Sequence, residues 1–224
     1  GVNQSYCDLL FYVDATPGSS IDDPERPSIP DEGDKEEPKP DEDENVTGTL
    51  AFEDIWPSGG DYDMNDVIVE YERKVYFDKK NIVTKIVDEF TPVHDGATYV
   101  NAFAYQIDAA QIGDKITLPE GAILEKETSS IIVMSNAKQN IGNKYVVTRE
   151  FNGSFLKNQL LSYNPYIIVK YSQGEQNRTE VHLPKHKATA YANQSLIGSN
   201  DDAYYIDRKG AYPFAIDIPM LGFT

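Results

Sequence analysis

Residues 67–77 read VIVEYERKVYF. In an extended chain Val67, Val69, Tyr71, Val75 and Phe77 share one face, with Arg73 the polar exception, while Glu70, Glu72 and Lys74 share the other. A period of two carried by β-branched and aromatic side chains predicts a half-buried strand, not a helix. Similar runs recur at 50–55, 81–93, 99–107, 130–134, 145–151, 166–171, 180–183 and 214–218. Turn signals separate them: Asp78-Lys79-Lys80-Asn81, His94-Asp95-Gly96, Gly113-Asp114, Pro119-Glu120-Gly121, Asn152-Gly153 and Ser172-Gln173-Gly174. No segment shows a sustained 3.6-residue apolar period, and 158–161 fits one helical turn at most. Many short strands at this spacing predict an all-β fold, an antiparallel β-sandwich of jelly-roll-like character.

The 224 residues are 40% hydrophobic and 11% aromatic, enough to bury a core. The net charge is −17, and a surface that negative repels phosphate backbones and anionic lipid heads, so nucleic acid is excluded as a partner class. No apolar run reaches the ~18–20 residues of a membrane-spanning helix. The single cysteine, Cys7, excludes an internal disulfide framework. Gly1 in place of a starting methionine predicts a processed or engineered N-terminus, with any export signal cut away.

The charge is concentrated. Residues 17–47 hold twelve acids, three bases and six prolines, a net of −9, which leaves −8 for the rest. Such a segment buries too little apolar surface to offset its ordering entropy, and like charge and proline keep it extended. Three parts follow: an N-terminal strand within 1–16, a linker over 17–47, and a folded domain over 48–224. In the first part Leu9, Phe11 and Val13 alternate, and Ser5–Val13 looks like a decayed copy of Asp63–Tyr71. That predicts a strand able to dock on a sheet edge.

Between the strands at 50–55 and 67–77 the chain reads WPSGGDYDMND (56–66). Alternation puts Asp61, Asp63 and Asn65 on one side, with Asp66 opening the next strand. Carboxylates this close raise each other's pKa unless a cation sits among them. Hard oxygen donors at this spacing suit Ca²⁺, which takes ~6–8 oxygens. Glu53 and Asp54 in the adjoining strand are helper ligands. Two readings stand side by side: a Ca²⁺ site, and a cluster of Asx-turns whose carboxylates cap backbone amides. Asp61, Asp63, Asn65 and Glu72 match positions one, three, five and twelve of an EF-hand loop. Asp66 stands where that loop needs glycine, however, and the flanks read as strands, so an EF-hand is excluded. A second acidic turn, Ser199-Asn200-Asp201-Asp202, either joins the first cluster or stands alone.

The runs AFEDIWPSGGDYDMNDVIVEY (51–71), TYVNAFAYQID (98–108), YNPYIIVKYSQGEQNRTEVHLPKHKAT (163–189) and YYIDRKGAYPFAIDIP (204–219) resemble, in this order, the LruC-type domain of bacterial, Bacteroides-like surface proteins. The resemblance covers 49–219. It departs at Ala102-Phe103-Ala104, where that family usually carries Gly-Phe-Gly, a difference that bears on packing more than on a site. The resemblance implies an exported, cell-envelope β-domain without enzymatic activity, and it supplies no catalytic residue.

The residues themselves give no catalytic constellation. His182 and His186 are four apart, but Pro184 lies between them and 180–183 reads as strand, which breaks a helical metal clamp. No nucleophile elbow, P-loop or dinucleotide fingerprint occurs. A glycan-processing carboxylate pair remains the enzymatic alternative. The main alternative to an adhesive or architectural surface module is a carbohydrate-binding one, in which Trp56, Tyr204 and Tyr205 would offer ring faces to sugars. The expected partners are a glycan or a surface protein, and the expected location is extracellular or at the outer cell surface. Five Asn-x-Ser/Thr triplets (Asn3, Asn45, Asn152, Asn177, Asn193) read as loop composition.

Overall fold

The structure is a computed structural model, which describes residues 42–153, 155–199 and 204–223. The N-terminal strand of 1–16, the linker up to residue 41, and Asp201 and Asp202 lie outside the described residues.

The described chain is all-β. Eleven strands form two antiparallel sheets: β1 (Glu42–Phe52), β2 (Val67–Phe77), β3 (Val83–His94), β4 (Ala102–Gln106), β5 (Lys115–Thr117), β6 (Ile123–Glu125), β7 (Ser130–Met134), β8 (Tyr145–Glu150), β9 (Asn164–Val169), β10 (Thr179–His182) and β11 (Ala215–Ile218). One sheet runs β11-β1-β2-β3-β8-β5 and the other β10-β9-β4-β7-β6. Short 3₁₀ turns occur at Ala109–Gln111, Lys138–Asn140 and Lys157–Gln159. The last overlaps the single helical turn expected near 158.

The alternation that predicted β2 is what its burial shows, with every second residue from Val67 to Phe77 inside. Val75 packs with Val83, Ile86 and Phe151 in a smaller core, while Val67, Val69 and Tyr71 meet the second sheet in the main one. Leu50, Phe52, Val69, Phe90 and Val147 come from the first sheet, and Phe103, Tyr105, Ile131, Val133, Ile167 and Val181 from the second. Phe90 lies 5.1 Å, centroid to centroid, from both Phe103 and Tyr105. Burying each such side chain contributes about 1.5–3 kcal/mol. In the second sheet both faces are covered, since Ala102, Ala104, Ile132, Tyr166 and Ile168 form a further buried cluster. The alanines at the departure from the Gly-Phe-Gly pattern are fully buried there.

Arg73 lies inside because it has partners. Its Nε donates to Asp88 Oδ1, its guanidinium lies 3.8 Å above the Tyr163 ring, and Asp88 Oδ2 also accepts from Arg149 and from the Tyr105 hydroxyl, each at 3.1 Å. Burial alone would push the Asp88 carboxyl up, but the two guanidiniums outweigh it and hold it below the usual range.

β1 begins at Glu42, so 42–47, read from sequence as the end of the linker, is strand: Glu42 to Phe52 pair in unbroken register with Phe77 to Val67. Its charges suit its position, because β11 pairs only with Thr49–Phe52 and leaves the earlier half at an edge. At the other end the strand read as 50–55 stops at Phe52, and the chain turns, with Ser58 N bonding Ile55 O at 3.1 Å. Gly48 is required by a close approach. The Tyr71 ring crosses β1 there, so that a Cβ would sit 2.6 Å from its oxygen, and its hydroxyl donates to Asp217 of β11 at 3.0 Å.

Two irregularities aim loops at one corner. β3 carries Pro92, which has no N–H to donate, and the β2–β3 register shifts beside it, between Ile68 and Val69. After the shift, residues 95–98 leave the sheet and reach the 61–66 loop, where Gly96 N donates to Asn65 O at 2.9 Å.

Candidate metal centre

The corner is built from three segments: Glu53 and Asp54 just after β1, the 61–66 loop, and residues 95–101 following β3. Glu53 is fixed first. Its amide donates to Phe214 O at 2.9 Å, extending the β1–β11 pairing by one residue, and its side chain turns inward, 1% exposed. Trp56 and Pro57, joined by a cis peptide, follow it.

In the 61–66 loop Tyr62 and Met64 adopt φ of 56°, an uncommon conformation for non-glycine residues that tends to occur where the surroundings enforce it. Both are anchored. Met64 is buried with Ala51 and Ile68, and Tyr62 packs its ring 5.3 Å from Tyr212 and 5.4 Å from Phe214. The even residues therefore grip the body, and Asp61 and Asp63 remain exposed beside Glu53.

One oxygen from each of Glu53, Asp61 and Asp63 lies within 4.8 Å of the other two. Glu53 Oε1 accepts from Met64 N at 2.6 Å, while Oε2 is buried with no hydrogen-bond partner. Gly60 leaves room for that oxygen: a Cβ there would lie 3.2 Å from Oε2 and 2.3 Å from Ile55 Cδ1. Desolvation pushes the Glu53 carboxyl up to about 7; the Met64 amide opposes the rise, and Asp66, Asp61 and Asp63 add to it. Three clustered carboxylates, one of them with a partnerless buried oxygen, fit a hard cation with oxygen ligands. Carbonyls and water would complete its shell.

The other proposed ligands are placed differently. Asn65 Nδ2 donates to Asp63 Oδ2 at 2.5 Å, orienting that carboxylate rather than joining the trio. Asp66 Oδ2 accepts from Asp54 N at 2.8 Å, and Asp54 Oδ2 accepts from Asn101 Nδ2 at 2.8 Å. Asp54 and Asp66 thus form a neighbouring pair, in part the amide-capping cluster of the second reading. Burial raises the Asp66 carboxyl, the Asp54 amide lowers it, and the Asp54 carboxylate raises it again. Glu72 lies away on β2, bonded to Asn45 and Lys74, as the exclusion of an EF-hand requires.

Asp95 was read from sequence only as part of a turn. Its carboxylate is buried at the same corner, pushed up to about 6 by desolvation; Lys138 and the Ala97 amide oppose this, and Asp54 and Asp66 reinforce it. The Ala97 amide lies at the margin of hydrogen-bond geometry, outside the strict limit for either Asp95 oxygen. Its only sequence signal was an acid beside a glycine in a loop.

Two of the three expected sugar platforms are corrected. Trp56 and Tyr205 are 4% and 0% exposed and pack on each other at 4.8 Å, closing the end of the core, so neither offers a ring face to a ligand. Tyr204 is exposed, and Tyr212, stacked on Tyr62, is exposed as well. His182 is wholly buried, bonded to Asn164 and Glu180, and does not face a metal.

A two-sheet β-sandwich with an acidic corner is the class these features define. The chain belongs to the family described as a domain of unknown function (DUF4842), whose model matches residues 81–223. The 53–66 segment precedes that match, while Asp95 and Asn101 fall within it. The fold is similar to the crystal structure of a "putative lipoprotein" from Bacteroides ovatus, with a TM-score of 0.58 and 17% identity over 80% of this chain. The chain spans 66% of that protein's length, just under two thirds. No curated protein matches it. Among the described residues no helix is long and apolar enough to cross a membrane.

Proposed function

We propose that this is a non-catalytic cell-envelope module of adhesion or surface architecture, its sandwich stabilised by Ca²⁺ bound at Glu53, Asp61 and Asp63. The observation that carries the metal is Glu53, whose Oε2 is buried without a partner and whose carboxylate lies beside two others, Asp61 and Asp63. The likeness to a Bacteroides lipoprotein and the resemblance to LruC-type surface domains support the envelope location. In this reading the ion neutralises the corner and ties the end of β1 to the loop that opens β2. The carbohydrate-binding alternative is narrower than the sequence allowed, since it rests on Tyr204 and Tyr212 alone.

A ligand that binds only the folded state stabilises it by about 2.7 kcal/mol at a hundred times its dissociation constant. For a domain of this size that raises the melting temperature by about 5–10 °C. The test is thermal unfolding in chelator and in millimolar Ca²⁺, with Asp63→Ala as the control. The parent shifts and the variant does not. A parent transition indifferent to Ca²⁺ sinks the metal claim and leaves the fold untouched.

A further inference from the structure

Offering one oxygen apiece, Glu53, Asp61 and Asp63 supply about half or less of the ~6–8 oxygens that Ca²⁺ takes, so the other positions fall to solvent or to a ligand. The open side is that of Asp61 and Asp63, which are exposed, while Glu53 is buried. A cleft of about 450 Å³ adjoins it, within the size range of small-molecule sites. Asp61 belongs to both, since it lines the cleft together with Asp54, Ile55, Asp66, Thr98 and Tyr99. Hydrogen bonds also join the two. Asn65 Nδ2 donates to Asp63 Oδ2 at 2.5 Å, and Asn65 O accepts from Gly96 N, in the cleft wall, at 2.9 Å. Asn101 Nδ2 holds Asp54 Oδ2, and the Asp54 amide holds Asp66 Oδ2, each at 2.8 Å. The carboxylates of the cleft are therefore fixed before any ligand arrives.

We infer that this cleft binds a neutral, hydroxyl-rich glycan, two adjacent hydroxyls completing the shell of the ion while others donate to Asp54 and Asp66. Charge selects this class. Glu53, Asp54, Asp61, Asp63 and Asp66 outnumber the two charges of the ion, so a carboxylated or phosphorylated ligand is repelled. An ammonium or guanidinium has no lone pair for the open positions and meets the ion as a like charge. A hydroxyl offers a lone pair to the cation and a proton to a carboxylate, and it brings no charge. Ile55 and Tyr99, 38% and 37% exposed, supply an apolar wall for the C–H face of a sugar ring. Lys170 Nζ lies 4.0 Å over the Tyr99 ring and steadies it. This is distinct from a ring platform at Tyr204 or Tyr212, because here the cation and the carboxylates select the sugar and the ring only walls it. The inference rests on the reading of Glu53, Asp61 and Asp63 as a cation site.

The test is an array of neutral and acidic glycans, probed with the intact chain in millimolar Ca²⁺ and in chelator, beside the melting shift that Ca²⁺ produces. Neutral members are expected to bind, and to be lost in chelator. Tyr99→Ala weakens that binding roughly tenfold, and Asp66→Asn weakens it too, while both variants keep the melting shift. Asp61→Asn loses binding and shift together. The melting transition reports whether each variant folds, and Tyr99→Leu replaces Tyr99→Ala if that one does not. A parent that responds to Ca²⁺ in melting yet binds no glycan overturns the inference and keeps the ion. Binding that survives chelator, that is confined to acidic members, or that is lost in Tyr204→Ala but not in Tyr99→Ala overturns it as well. A chain indifferent to Ca²⁺ in both measurements overturns the ion and the glycan together.

Discussion

Glu53 shows how one residue carries both a cost and a function. A carboxylate that accepts a single backbone amide and hides its other oxygen loses water without full replacement, which is why its pKa rises to about 7. Glu53→Gln keeps an acceptor for the Met64 amide and removes the charge. In chelator at pH 8 the variant is expected to melt above the parent, by about 1–2 kcal/mol once solvent screening at the open side of the corner is allowed for. Added Ca²⁺, which raises the parent's transition, leaves the variant's in place. A variant less stable than the parent in chelator would show that Glu53 is already satisfied in the native protein. The acids of this site were partly legible in sequence: spacing singled out Asp61 and Asp63, and strand continuity pointed to Glu53. Asp95 was not legible, because it reaches the loop only after the register shift beside Pro92, on residues 95–98, and a shift of that kind leaves no mark on local periodicity.

The elements were readable in proportion to how unequal their two faces are. β2 has one wet and one dry face, so alternation found it, and even its exception, Arg73, marks a buried partner rather than an error in register. β7 and β9 are buried on both faces and read as plain apolar runs. β5 and β6 are three residues each, too short for any period to emerge. The first half of β1 was hidden by its own charges, which resemble a linker and in fact fit a sheet edge. The Arg73–Asp88–Arg149 cluster ties β2, β3 and β8 through a single carboxylate, and breaking it leaves two buried guanidiniums without their counter-ion. Asp88→Ala is therefore expected to cost about 3–5 kcal/mol, a fall of roughly 10–15 °C in melting temperature. Replacing Arg73 and Arg149 by methionine in the same chain restores most of the loss. If Asp88→Ala alone melts like the parent, the cluster is not what joins these strands.

At the scale of the whole molecule, two sets of titrating groups pull stability in opposite directions. Glu53 and Asp95 have raised pKa values in the fold, so what they contribute is present below their unfolded values and is lost as pH rises through about 7 and about 6. On the edge strand β10 of the second sheet and the segment after it, Arg178, Glu180, His182 and Thr189 form a buried network beside Tyr166. Burial lowers His182 from 6.5 despite the Glu180 carboxylate. Burial would raise Glu180, but His182, Arg178 and Thr189 hold it below 4.5. Groups lowered in this way stabilise above their unfolded values and lose that contribution as pH falls through their folded ones. The metal-free protein is thus squeezed from both sides, and its melting temperature is expected to peak at about pH 4.5–5, where Glu180 has gained its contribution and Glu53 and Asp95 have only begun to lose theirs. A bound cation cancels the alkaline penalty alone, since it meets the corner and not the network. In millimolar Ca²⁺ the peak should widen upward past pH 7, while the acid limb stays where it was. His182→Gln removes a gain in stability that runs up to pH 6.5, so it should steepen the fall above the peak and leave the Ca²⁺ response unchanged. Melting curves from pH 4 to 9 in chelator and in Ca²⁺ read both limbs at once. Two curves separated by the same interval at every pH would mean that the ion acts on stability without meeting the titrating corner.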